Sequence, residues 1–200
     1  ETSVANGYKK YVLVKDLSDT ANEFDVKISS DDKSVNINVY LGGKITVKSI
    51  TTMLAGITVN GGEDLTESDI GTVEGAGEEQ LLHLALPATD EETRPQVLFG
   101  GTDFMQCFGS ETQKVVFKFY YSGKKSLYYA LQFRYANDPL YVEITSGTLK
   151  KGWNEITVNN LYAYSWAKNG ALQNMRFMFG STGSAANNDL YFGGATAYYI

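Results

Sequence analysis

The chain has 200 residues, 43% of them hydrophobic and 20% charged, with a formal net charge of −6. This is a globular composition, long enough for one sizeable core and commonly a single domain when the structure is β. The negative balance argues against a nucleic-acid footprint, which needs clustered basic residues. No apolar run approaches the roughly 20 residues of a membrane helix. The first residues carry no signal-like stretch, so an export signal is expected to lie outside this sequence.

Fourteen Tyr, ten Phe and two Trp stand against one His and one Cys. Such a chain is better equipped to stack on flat, hydroxyl-bearing ligands than to run acid–base, thiol or metal chemistry. In chain order, residues 9–15 and 24–29 read as short strands. Val35, Ile37 and Val39 alternate with polar residues, Leu41-Gly42-Gly43 turns the chain, and Ile45 and Val47 resume the alternation, which predicts a hairpin of 34–40 with 44–50. Residues 56–77, rich in Gly and acid, read as loop with one short strand. Glu63, Asp64, Glu67, Asp69, Glu74, Glu78 and Glu79 lie in a span free of Lys and Arg between Lys48 and Arg94, expected to be a solvated acidic face. Segments 79–86, 96–99 and 104–108 are further strand candidates. His83, in a leucine-rich strand, reads as structural, and Cys107 as a buried small hydrophobe that has no partner for an intrachain disulfide.

From Lys114 onward the alternation is regular. Val115, Phe117, Phe119 and Tyr121 share one face of a strand, opposed by Val116, Lys118 and Tyr120. Leu127, Tyr129, Leu131, Phe133 and Tyr135 oppose Tyr128, Ala130, Gln132 and Arg134. Strands at 140–145, 153–158, 175–179 and 190–199 follow, with one helical turn read at 172–175. Many short strands with turn signals predict an all-β fold, a β-sandwich of antiparallel strands spanning residues 1–200 as one domain.

Gly152-Trp153-Asn154 opening a strand, the apolar run Met175 to Phe179 and the closing segment Asp189-Leu190-Tyr191-Phe192 together resemble the galactose-binding-like jelly-roll domains found among carbohydrate-binding modules. The resemblance covers residues 114–200. It implies a jelly roll that binds polysaccharide or oligosaccharide without catalysis, as part of a larger multi-domain protein at the cell surface or outside a bacterial cell. Many such domains carry one or two Asp after the closing segment, one of them helping to hold a structural calcium. Here those positions are Gly193 and Gly194, which leaves Asp16 and Asp189 as the carboxylates the resemblance offers to calcium.

Sugar recognition needs an aromatic face for ring C–H groups and planar hydrogen-bonding groups for hydroxyls. Tyr162, Tyr164 and Trp166, spaced by two in a polar stretch ending at Gly170, supply the first requirement. A second candidate surface is the polar side of the regular strands, with Tyr120, Tyr128, Gln132, Arg134 and Arg176 expected on one sheet face. The net charge favours a neutral glycan, a starch-type α-glucan or a plant cell-wall glucan or hemicellulose. Two other readings compete: a protein-binding or adhesive surface domain, whose interface would use the same Tyr, Trp and Arg, and a jelly-roll glycoside hydrolase. The hydrolase requires two carboxylates about 5–9 Å apart, for which Asp103, Glu143 and Glu155 are the candidates.

Overall fold

The period-two alternation becomes strand through most of the chain. A computed structural model describes residues 2–4, 8–10, 43–47, 50–60, 63–86, 94–100, 112–159, 172–181 and 190–199. Its strands are β1 (Thr2–Val4), β2 (Tyr8–Lys10), β3 (Gly43–Val47), β4 (Ile57–Asn60), β5 (Ile70–Gly71), β6 (Leu81–His83), β7 (Gln96–Phe99), β8 (Thr112–Tyr121), β9 (Leu127–Tyr135), β10 (Val142–Leu149), β11 (Gly152–Asn159), β12 (Leu172–Ser181) and β13 (Leu190–Tyr199). A five-residue helix, α1 (Ile50–Leu54), joins β3 to β4, and a 3-10 turn at Glu67–Asp69 precedes β5.

The pairings are nested. The hairpin β9·β10 lies inside β8·β11, and β7·β12 and β6·β13 lie outside that. The additional pairs β9·β12 and β8·β13 roll this nested strip into two antiparallel sheets, one of five strands ordered β10-β9-β12-β7-β4 and one of six ordered β11-β8-β13-β6-β5 with β3 also on β13. Nested antiparallel pairs distributed in this way over two sheets make a jelly roll, the all-β sandwich that the strand pattern predicts. Strands of the first half, β3 to β7, extend both sheets. The pair β1·β2 forms a separate two-stranded ribbon.

Between the sheets lies an aromatic core. Every phenylalanine among the described residues is at 0% exposure: Phe99, Phe117, Phe119, Phe133, Phe177, Phe179 and Phe192. Phe177 on β12 meets Phe117 and Phe119 on β8 edge-to-face at 5.1 and 5.0 Å, and Phe99 on β7 meets Phe192 on β13 at 5.0 Å. These edge-to-face arrangements suit the ring quadrupole and add to the burial energy. The described phenylalanines therefore serve the interior.

Several local expectations change. Residues 172–175 form strand rather than a helical turn, because β12 pairs with β9 from Leu172 onward across a register shift at 172–174. The stretch 56–77 carries two strands, β4 and β5, instead of one. Strand β3 ends at Val47, and Ile50 begins the helix. Its described partner is β13, while the predicted partner 34–40 lies outside the described residues, as do 24–29 and 104–108. Since Phe177 touches aromatic rings of both sheets, Phe177→Ala is expected to cost about 3–5 kcal/mol. A urea titration should show a lower midpoint at unchanged slope.

Candidate functional site

The outer side of the five-stranded sheet is an uncovered polar strip among the described residues. One row across it reads Thr58, Leu98, Arg176, Gln132 and Glu143, and the next Asn60, Gln96, Met178, Ala130 and Ser146. Arg176 organises the centre. Its Nε–H donates to Gln132 Oε1 at 2.7 Å, an Nη1–H donates to Gln96 Oε1 at 3.2 Å, and the guanidinium carbon sits 3.7 Å from the centroid of the Tyr141 ring. Asn60 Nδ2 donates to the same Gln96 oxygen at 3.3 Å. Burial lowers the Arg176 pKa from its ordinary value and Tyr141 acts the other way, and a guanidinium stays cationic at neutral pH.

Two further arginines join this strip. Arg94 lies with its guanidinium carbon 5.6 Å from the centroid of the Tyr128 ring, which is possible because Tyr128 stands opposite Gly180 and lies close over it. Arg134 stands opposite Asn174, and both carry a buried atom with no hydrogen-bond partner, Arg134 Nε and Asn174 Oδ1. Buried polar atoms are nearly always paired, so an unpaired donor and an unpaired acceptor in register are unusual. Leu140, next to Tyr141 in sequence, is 71% exposed.

Of the residues expected on one face, Tyr128, Gln132, Arg134 and Arg176 do lie together. Tyr120 does not. It belongs to β8 in the other sheet, is only 5% exposed, and points to the opposite outer side. The sequence reading treated the polar sides of consecutive strands as one surface, whereas the chain changes sheets between β8 and β9. That reading also missed Arg94, Gln96, Tyr141 and Asn174. The alternation of β7 and β12 turns Gln96 and Asn174 outward, but their sheet neighbours are not adjacent in sequence. Tyr162, Tyr164, Trp166, Asp16 and Asp189 lie outside the described residues.

The acid-rich segment covers one end of the outer side of the six-stranded sheet, around Tyr120 and Trp153. Tyr120 Oη donates to the carbonyl of Glu74 at 3.2 Å and Trp153 Nε1 to that of Ala76 at 3.2 Å. Ala76, Leu81 and Tyr120 form a second buried cluster packed by Val73 and Tyr191. Asp69 folds its own turn, accepting from Thr66 N at 2.7 Å and from Thr66 Oγ1 at 2.9 Å. The carboxylates are largely solvated, as expected, while the backbone is strapped to the sheet. His83 stacks on Tyr191 at 4.9 Å, in keeping with a structural histidine. A depression of about 810 Å³ opens between this strap and the sheet, near Asp69, Glu74, His83, Tyr120 and Lys151. Tyr120 there is engaged in holding the strap, and Tyr191 stacks on His83.

The same region accounts for the Gly193-Gly194 departure. Strand β13 shifts register between Phe192 and Gly194, where Gly194 has φ +116, a conformation that favours glycine. A Cβ at Gly193 would stand 2.8 Å from Trp153 Cζ3. The position is thus occupied by an indole face instead of a carboxylate. Gly152-Trp153-Asn154 is structural as well: Gly152 has φ +100, and Asn154 Nδ2 donates to the Lys150 and Gly152 carbonyls at 2.8 and 2.9 Å.

Glu143 and Glu155 occupy β10 and β11, on opposite sheets, and both side chains are exposed on the outer sides. Packed sheets stand about 10 Å apart, so these two outward carboxylates are too far apart to form the hydrolytic pair. Asp103 lies outside the described residues. Among the described residues no group of three His, Cys, Asp or Glu is placed to hold a metal ion.

No protein-family model matches the chain, and no curated protein is detectably similar to it. Solved structures give likenesses. One is a carbohydrate-binding module specific for non-crystalline cellulose, CBM28, at 18% identity over 68% of this chain and 87% of that one, TM-score 0.40. Another is the CBM22-1–GH10 portion of a Clostridium thermocellum xylanase complexed with xylohexaose, at 13% identity over 78% of this chain and 28% of that one, TM-score 0.49. A third is the CBM22-1 xylan-binding domain from Paenibacillus barcinonensis Xyn10C, at 14% identity over 78% and 91%, TM-score 0.47. Each is or contains a carbohydrate-binding module, the type of domain the sequence resembles. Their identities and TM-scores are too low to carry a functional argument, and we derive function from the residues of the open sheet.

Because Trp153 is pinned over Gly193 by its hydrogen bond to Ala76 and its edge contact with Tyr120 at 5.5 Å, Gly193→Asp is expected to lift the indole. In a Trp166→Phe background the Trp153 emission should move to longer wavelength. Stability should fall by about 1–3 kcal/mol.

Proposed function

We propose that this protein is a non-catalytic carbohydrate-binding module that holds a polysaccharide along the outer side of its five-stranded sheet. The observation that carries the reading is the network around Arg176, whose guanidinium donates to the Gln132 and Gln96 amides and stacks on Tyr141, with Arg94 over Tyr128 on the same face. Planar groups fixed in place recognise ring hydroxyls, and the tyrosines offer faces to ring C–H groups. Five strands about 4.8 Å apart span roughly 19 Å, a strip rather than a pocket. Such a shape favours an extended chain, as in plant cell-wall polysaccharides, over a helical α-glucan.

The expectation of a neutral glycan rested on whole-chain charge. The arginines on the strip remove that argument, because a ligand meets the local charge first. Glu143 is the one carboxylate in the strands of this sheet among the described residues, so a catalytic pair has no second member there and we assign binding alone. Tyr162, Tyr164 and Trp166 are proposed to add contacts from the 159–170 segment. Tethering to a larger extracellular protein would raise the local concentration of polysaccharide for an attached enzyme.

Affinity electrophoresis against neutral and acidic polysaccharides checks this. At least one should retard the protein, and Arg176→Ala and Tyr128→Ala should each weaken that retardation about tenfold, the loss expected for one charged hydrogen-bonding or stacking group. Loss of retardation on Trp166→Ala alone would move the site to the loop. A folded protein that ignores every glycan would overturn the reading in favour of a protein-binding surface.

A further inference from the structure

The chain contains three arginines, Arg94, Arg134 and Arg176, and all three belong to the strip just described. No lysine occurs in the strands of the five-stranded sheet. The described lysines lie on the six-stranded sheet, at Lys44, Lys114 and Lys118, in the β1·β2 ribbon, at Lys9 and Lys10, or in turns, at Lys124, Lys125, Lys150 and Lys151. We infer that the open strip binds a negatively charged glycan, its sugars bearing carboxylates or sulfate esters, through these three guanidiniums. The inference rests on the carbohydrate-binding reading and names its ligand class.

Sorting of this kind has a chemical meaning. A guanidinium presents a rigid fork that fits an anion through two parallel hydrogen bonds, while an ammonium is a strongly hydrated point charge. A sheet face needing only solubility has no reason to choose one cation and exclude the other. None of the three arginines forms an ion pair among the described residues; Glu143, in register with Gln132, is exposed. Their charge is therefore available to a ligand.

The balance of donors and acceptors points the same way. Gln132 Oε1 and Gln96 Oε1 are already engaged by Arg176, and Gln96 Oε1 by Asn60 as well. The amide N–H groups of both glutamines and the outer guanidinium nitrogens of Arg176 stay available as donors, against one remaining lone pair on Gln132 Oε1. Arg134, half-buried, adds its outer guanidinium nitrogens. A donor-rich face matches a ligand that only accepts, which describes a carboxylate or sulfate and not a hydroxyl.

The test pairs acidic glycans with uncharged counterparts of the same backbone: glucuronoxylan and polygalacturonate against their carboxyl-reduced forms, and dextran sulfate against dextran. At least one charged member should bind tenfold or more tightly than its counterpart, and which pair responds separates carboxylate from sulfate. Arg94→Gln and Arg134→Gln should each weaken that binding about tenfold. The melting temperature should not fall in Arg134→Gln, because a guanidinium whose buried Nε has no partner adds little to the free protein's stability. Equal binding to charged and uncharged partners would overturn the inference and leave the carbohydrate reading standing. Binding to no glycan would remove both. Equal retention by polyglutamate, or binding indifferent to Arg94→Gln and Arg134→Gln, would also overturn it. Arg94 is exposed, so its variant remains informative even if Arg134→Gln disturbs the fold.

Discussion

The aromatic interlock between the two sheets fixes everything that the outer faces do. Side chains alternate with a period of two, so a one-residue slip of β12 against β9 would send Phe177 to solvent and Arg176 into the core. Edge-to-face contacts of Phe177 with Phe117 and Phe119, and of Phe99 with Phe192, make that slip prohibitively costly. With the register held, Gln96, Arg176 and Gln132 must fall side by side on three adjacent strands. The side-by-side arrangement of these polar groups is a consequence of core packing.

The two outer faces then take different courses. On the six-stranded sheet, Tyr120, Trp153 and Tyr191 are half or fully buried beneath a strap whose carbonyls accept the Tyr120 hydroxyl and the indole N–H. A second, smaller core results. On the five-stranded sheet polar side chains satisfy one another laterally and leave their flat faces outward. An antiparallel sheet with one side packed and one side solvated is physically ordinary. Less ordinary are a guanidinium stacked on a tyrosine at its centre and two buried polar atoms left without partners, Arg134 Nε and Asn174 Oδ1. Stability alone would remove such orphans.

Much of this was legible in the chain itself. The inward sets of β8 and β9 could be read directly from alternation, and so could the all-β class. The Gly-Trp-Asn motif also pointed correctly to a strand start, although its function is to close a turn and lay an indole over Gly193. Sheet membership was not legible, because nested pairing joins β7 to β12 and β6 to β13 across more than half of the described second sheet's sequence span. Local pattern shows which way Tyr120 and Tyr128 point from their own strands. It does not show that the chain crosses to the other sheet between them. Arg94 escaped notice for the same reason: its partner Tyr128 is reached only over Gly180, on a third strand.

The acidity of the chain and the basicity of its open strip are compatible once distance is considered. At physiological ionic strength charges are screened over about 8 Å. The strap carboxylates, such as Glu74 and Glu78, belong to the opposite outer side of the sandwich, with two sheets about 10 Å apart in between. They add to the net charge of −6, which keeps the protein soluble, yet they hardly alter the potential at Arg134 or Arg176. The three arginines thus share one outer side of a globally negative molecule, and among the described residues Glu143 is the carboxylate in the strands of that side.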